Sequence, residues 1–169
     1  MTTAFTGGEA LVETLIGHGI DTAFCLPGES YLGALESLRA HQNEIRLVVT
    51  RHESGASFAA CAHARMTNKP GIAFVSRGPG ASNAAIGVHT AKQDSTPMVL
   101  FVGQVPTQQI GREAFQEVDY HIMYGPLAKG VMQALLPGEV ADITQRALTL
   151  AMDGRPGPVV VVLPENVTT

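Results

Sequence analysis

Short, continuous apolar runs alternate with longer amphipathic stretches along most of this chain. The runs are Thr22 to Leu26, Ile45 to Thr50, Ile72 to Val75, Pro97 to Val102 and the valine-rich Pro158 to Leu163, with a weaker one at Leu127 to Met132. They do not alternate apolar with polar residues, so they predict strands covered on both faces, the pattern of a parallel sheet. Helices are predicted between them. Thr6-Gly7-Gly8-Glu9 has the form of a capping box, with Thr6 as N-cap and Glu9 reaching back. The helix it opens carries Leu11, Val12, Leu15 and Ile16 and stops at Gly17-His18-Gly19. Glu29-Ser30 opens a second helix with Leu32, Leu35 and Leu38 expected inward. Further helices are expected over His52 to Met66, Ala81 to Lys92 and Glu139 to Met152. Strands that alternate with helices define an α/β protein, here a three-layer αβα arrangement around a mostly parallel six-stranded sheet. Residues 1–163 form one domain in this reading, and Pro164 to Thr169 begin an interdomain linker. Gly103 to Gly125 is the one long irregular stretch, and such a loop in a compact domain is usually functional or mobile.

Composition adds that this domain is poor in charge. Only 15% of its 169 residues are charged, against roughly 25% in a typical domain. Eighteen glycines and many alanines take their place. Two readings fit: a compact, weakly charged domain, or one whose surface packs against other domains or subunits, since interface cores are depleted in charge. The net charge of −4 offers no basic stripe for nucleic acid. No apolar run approaches the roughly 18 residues of a membrane span. Met1 to Gly8 lacks the charged-then-apolar pattern of a signal peptide. Cys25 and Cys61 form neither a CxxC nor a disulfide framework, which fits reduced thiols in the cytoplasm.

Candidate chemistry sits where strands end. Pro27-Gly28-Glu29, His52-Glu53-Ser54 and Gly78-Pro79-Gly80 with Asn83 all follow predicted strands. In a parallel sheet those ends share one edge, the edge at which ligands bind. Each turn alone has a structural explanation as well: glycine and proline make tight turns, and Glu or Ser at a helix start caps it and suits its dipole. Gly78 to Asn83 is a poor match to a dinucleotide fingerprint, with Pro79 in the middle place and Asn83 for the third glycine. No P-loop and no Gly-x-Ser-x-Gly elbow is present. The six histidines show no metal-ligand spacing. The helices over 53–66 and 80–92 are filled with small residues, from Gly55 and Ala56 to Ala64 and from Ala81 to Ala91. Such helices pack tightly either on their own sheet or against another copy.

Taken together the turns become specific. Phe24 to Glu29, Thr50 to Ala56 and Ser76 to Asn83, in that order and spacing, resemble the N-terminal, pyrimidine-binding domain of thiamine-diphosphate enzymes of the acetolactate synthase type. Gln93 to Met98, Gly103 to Val105, Ala114 to Glu117 and Gly157 to Glu165 continue the resemblance over nearly the whole chain.

The resemblance implies a job for Glu53: its carboxyl bonds the N1′ nitrogen of the cofactor's aminopyrimidine and drives the tautomer shift that removes the thiazolium C2 proton. The ylid then attacks a 2-oxo acid, and the ring serves as electron sink for decarboxylation. It also implies that Pro27, Gly28 and Glu29 line the pyrimidine pocket. Ser76, Gly80 and Asn83 face the cofactor or the neighbouring subunit, and Phe115, Gln116 and Lys129 lie near the substrate. The Gly103 to Gln109 segment lacks the histidine pair of the family's decarboxylases, which favours carboligation. The family holds the diphosphate through Mg2+ on a Gly-Asp-Gly motif in a separate domain, and no such motif occurs here. The resemblance therefore implies a cofactor site shared with the diphosphate-binding domain of another subunit. It also implies a homodimer or higher homo-oligomer through helices 53–66 and 80–92, and an isolated chain without activity; FAD is possible. A split 2-oxo acid decarboxylase and a non-catalytic nucleotide-binding or scaffold domain remain as alternatives.

Overall fold

The computed structural model describes residues 5–169. The reading of Met1 to Gly8 as lacking a leader falls partly on residues 1–4, outside the described residues. Six strands, β1 (Thr22–Cys25), β2 (Arg46–Val49), β3 (Gly71–Val75), β4 (Met98–Gln104), β5 (Gly130–Gln133) and β6 (Pro158–Pro164), form one sheet. Its order is β2-β1-β3-β4-β6-β5, and every neighbouring pair is parallel. The expectation of a mostly parallel sheet is met by a wholly parallel one.

Helices cover both faces, as the continuous apolar runs required. One core joins α1 (Gly7–Gly17), α2 (Leu32–Ala40) and α6 (Val140–Met152) to one face through Leu11, Leu15, Leu38, Ala147 and Leu148. The other joins α3 (Glu53–Thr67), α4 (Pro79–Gln93) and α5 (Tyr120–Tyr124) to the opposite face through Ala60, Cys61, Ala84, Val88 and Tyr124. The central strands β3, β4 and β6 are buried along their full length, while edge strand β2 is only partly covered, with Val49 60% exposed. Among the described residues no helix is long and apolar enough to cross a membrane.

Local signals place most boundaries. The capping box at Thr6 is closed in both directions, Glu9 Oε2 accepting from the Thr6 N–H at 2.8 Å and Thr6 Oγ1 from the Glu9 N–H at 3.2 Å. α3 ends at Asn68 in the left-handed conformation, a conformation asparagine tolerates at a C-cap. Two expectations change. A 3-10 turn over Glu29–Tyr31 precedes α2 and buries Tyr31, so the inward face becomes Ala34, Ser37 and Leu38. Leu32, expected inward, is 54% exposed. The irregular stretch after β4 is shorter than expected, because β4 runs to Gln104 and α5 begins at Tyr120. Residues 164–169 pack against the domain. Pro164 ends β6, and a last short helix, α7 (Glu165–Thr168), buries Val167 and Thr168. Its carbonyls lie so close to Gly7 and Gly33 that a Cβ on either would overlap them.

The small-residue helices resolve into an inner and an outer face. Ala56, Ser57, Ala60, Cys61 and Ala64 of α3 and Ala81, Ala84, Gly87, Val88 and Ala91 of α4 are buried within the domain. A Cβ on Gly87 would overlap the Ser57 side chain, and Cys61 Sγ lies 3.5 Å from the Gly87 carbonyl oxygen. Tight packing on the domain's own sheet therefore accounts for most of their composition.

Candidate functional site

The strand order reverses at β1, which has β2 on one side and β3 on the other. A crevice opens at the carboxyl ends of strands where such a reversal occurs. The turns after β1 and β3 form this one. After β1 the Leu26 carbonyl accepts a 2.6 Å bond from the Tyr31 hydroxyl, and the Tyr31 ring stacks on Phe74, which stacks on Phe101. Burial pushes the Tyr31 hydroxyl well above the usual tyrosine range, so it stays a proton donor and fixes the backbone just before Pro27. After β3 the Arg77 N–H donates to Ser30 Oγ at 3.1 Å and the Gly78 N–H to Tyr120 Oη at 2.8 Å. Gly78 has φ +54°, a region that side chains other than glycine's enter at a cost. A Cβ there would also lie 2.8 Å from the Gln116 carbonyl oxygen.

The end of β2 delivers Glu53. Thr50 Oγ1 donates to the Cys25 carbonyl at 3.1 Å and the His52 carbonyl at 2.9 Å, tying the β2 end to β1. His52 is the N-cap of α3, its Nδ1 accepting from the Ser54 N–H at 3.2 Å. Glu53 is therefore the first residue of the helix, where the dipole favours its charge. Its side chain turns inward all the same, and the residue is only 8% exposed.

Around that carboxylate the three turns converge. Asn83 Nδ2, one turn into α4, donates to Glu53 Oε2 at 2.9 Å. A Cβ on Gly80 would lie 2.7 Å from Ser76 Oγ and 3.3 Å from Glu53 Oε1. A Cβ on Gly28 would meet Ser76 Cβ at 2.5 Å. Gly28, Glu53, Ser76, Gly80 and Asn83 thus meet at one place, and the two glycines let their turns close on Ser76 more tightly than any side chain would allow. Oε2 is engaged by Asn83, and Oε1 lies beside Gly80. A nearly buried carboxyl with one oxygen held by a neutral donor can present the other to a ligand as a directional hydrogen-bonding group.

The other predicted residues divide. Pro27 is exposed beside this crevice. The Glu29 side chain, 69% exposed, pairs with Arg77 Nη2 at 2.7 Å and so is committed to the turn. Gln116 abuts Gly78, and Phe115 stands 73% exposed beside it. Lys129 is not brought here. Its backbone N–H donates to the Pro158 carbonyl at the start of β6 and its ammonium bonds the Asp153 carbonyl, at the amino edge of the sheet. The reason is local: β5 begins right after it, at Gly130.

Several residues that build the site escaped sequence reading. Ser30, Tyr31 and Tyr120 donate to or accept from the turn backbones, and Arg77 is a nearly buried cation inside a glycine turn. The available signal was the chain's three tyrosines, all buried with their hydroxyls bonded to backbone. Cys25, under the same edge, is pushed up to about 11 by burial, which makes it a packing group rather than a nucleophile.

Comparison with known proteins matches residues 5–123 to the N-terminal TPP binding domain of thiamine pyrophosphate enzymes. The chain is 39% identical over 164 residues to the acetolactate synthase large subunit of Parasynechococcus marenigrum, covering 96% of this chain and 27% of that one. It is 41% identical over 164 residues to the acetolactate synthase of Arthrospira platensis, with 96% and 28% covered. It is 38% identical over 161 residues to a probable acetolactate synthase large subunit of Methanococcus aeolicus, with 95% and 26% covered. The chain spans about a quarter of the length of these relatives.

Proposed function

The chain belongs to the thiamine pyrophosphate enzymes, as their N-terminal TPP binding domain, and on that premise we propose that it supplies the aminopyrimidine side of the cofactor site of an acetolactate synthase-like enzyme. The observation that carries this reading is the Glu53 carboxylate, 8% exposed at the strand-order reversal and bonded through one oxygen to Asn83. The residues fit the group. Glycines 28 and 80 bring the turn backbones close against Ser76, and Oε1, not engaged by Asn83, lies beside Gly80. When bound, thiamine diphosphate supplies the nucleophilic carbon and the electron sink for removing carbon dioxide from a 2-oxo acid. Glu53 is the catalytic residue of this half-site: Oε1 would hold a hydrogen bond to a ring nitrogen of the cofactor, while Asn83 fixes the carboxyl through Oε2. Low exposure excludes water that would compete for that bond and strengthens it. Pro27, Gly28, Ser76 and Gly80 would line the pocket that holds the pyrimidine.

The remaining parts lie outside this chain in our reading. The diphosphate and its Mg2+ are held by a separate domain, since no Gly-Asp-Gly occurs here, and any flavin would sit outside this domain as well. The partner surface is the outer face of α3 and α4, where Phe58, Met66 and Ile86 are 41%, 85% and 55% exposed, and a second subunit covers it. Phe115 and Gln116 approach the substrate. Pyruvate turnover by the holoenzyme, with Glu53→Gln beside the unaltered protein, tests the assignment. Loss of product by at least about a hundredfold is expected for removal of a proton-handling carboxyl. Full activity of the variant contradicts it.

A further inference from the structure

Arg77 does something the cofactor site alone does not require. Its residue is 8% exposed, and a cation that buried survives only when it is paired. Its partners come from separate segments of the carboxyl edge. Nη2 meets Glu29 Oε1 at 2.7 Å, in the turn after β1. Nη1 lies 3.8 Å from Glu165 Oε2, just past β6. Nε donates at 3.3 Å to the carbonyl of Phe115, in the loop between β4 and α5. The turn that carries Arg77 does not depend on the guanidinium, because its backbone is already held by Ser30 and Tyr120.

The loop reached by Nε is a preformed unit. Glu117 accepts from the Gly111 N–H at 2.5 Å and the Ala114 N–H at 3.0 Å. Gln104, at the end of β4, donates to the Val118 carbonyl at 2.8 Å and anchors its return. Within it Glu113 and Gln116 take left-handed backbone conformations, φ +54° and +64°, which cost free energy unless surrounding contacts fix them. Besides the packing of Gln116 on Gly78, the bond from Arg77 Nε is the hydrogen bond that ties this braced loop to the turn after β3.

We propose that Arg77 is a positioning residue that sets the placement of the 111–117 loop, and through it of Phe115 and Gln116, against the Glu53 site. It acts on how the carbonyl substrate is accepted and leaves cofactor activation to Glu53. The clause about substrate rests on the functional reading above; the clause about the loop does not. Glu29 holds Nη2 at 2.7 Å, which orients the guanidinium plane so that Nε points at the Phe115 carbonyl, a task suited to arginine's rigid fork and poorly to lysine's single ammonium.

The experiment is done on the holoenzyme with Arg77→Met and Arg77→Lys, with Glu117→Ala to loosen the same loop from inside. Amide hydrogen exchange over residues 111–117 reads the loop, C2 proton exchange of bound thiamine diphosphate reads the cofactor, and steady-state kinetics read the 2-oxo acid. Both Arg77 variants and Glu117→Ala speed exchange in the loop. They raise KM for the 2-oxo acid about tenfold or more, the scale of a displaced substrate-facing group, with C2 exchange within about twofold of the unaltered enzyme. Unchanged loop exchange in Arg77→Met overturns the proposal, as does a loss of C2 exchange equal to the loss of turnover. A loosened loop in a protein that turns over no 2-oxo acid, with or without Arg77, overturns the substrate clause and the functional reading while the loop assignment stands.

Discussion

At the scale of single residues, the site is built by subtraction as much as by placement. Gly80 is the plainest case: a methyl group there would press on Ser76 Oγ at 2.7 Å and on Glu53 Oε1 at 3.3 Å. Gly80→Ala is expected to weaken thiamine diphosphate binding to the holoenzyme about tenfold, roughly 1.4 kcal/mol, with the fold intact, as read by titration calorimetry and circular dichroism. Unchanged affinity would show that the carboxyl does not border the ligand. Tyr31 makes the complementary point. Its hydroxyl is buried and bonded to the Leu26 carbonyl, so Tyr31→Phe leaves that carbonyl without its donor, and a loss of about 1–3 kcal/mol in denaturant unfolding is expected.

At the scale of elements, the chain's composition is explained by how its helices touch. α3 and α4 approach closely because Gly87 faces Ser57. Gly87→Ala overpacks that contact, and destabilisation of about 1–3 kcal/mol is expected, although alanine is the better helix former; a stabilised variant in thermal unfolding would refute the contact. The loop between β4 and α5 carries a pH dependence. Glu117 is held below the usual glutamate range, first by the Gly111 N–H and then by the Ala114 N–H. A native pKa lowered in this way means that the brace is fully present above the ordinary value of 4.5 and is lost as pH falls through the native one. Amide exchange in residues 111–117 should therefore be slow at neutral pH and rise in acid below that value in excess of its intrinsic pH dependence, and Glu117→Gln should abolish the transition.

Elements were also what the sequence showed best, and particular residues mark where legibility stopped. The continuous apolar runs at Ile72, Pro97 and Pro158 announce buried parallel strands because nothing else needs both faces apolar. The turns at Pro27, Glu53 and Gly80 announce one shared edge once the strands are parallel. Leu32 was misplaced because a 3-10 turn resets the helical phase, an event decided by where Tyr31 packs rather than by local pattern. The exposure of Val49 follows from β2 lying at the sheet's edge, and strand order is a tertiary property. Arg77 could not be paired with Glu165 from sequence, since only the β4–β6 pairing brings the end of β6 to the turn after β3. The edge at which Lys129 lies was hidden for the same kind of reason, since it depends on where β5 begins.

At the scale of the whole molecule, the domain presents the Glu53 crevice on one sheet edge and exposed apolar side chains on α3 and α4. Both features are explained if another domain completes the one and covers the other. On this account the isolated chain produces no detectable product from pyruvate and Mg2+-thiamine diphosphate, and activity appears when the diphosphate-binding partner is supplied; turnover by the chain alone would refute it. The central claim is narrower and concerns Glu53. It is tested most directly by the rate of C2 proton exchange of thiamine diphosphate saturating the holoenzyme, compared between the unaltered protein and Glu53→Gln, which keeps the shape of the side chain. The account predicts that the exchange rate falls by about a hundredfold or more while the cofactor stays bound. Exchange at the unaltered rate in the saturated variant would contradict it.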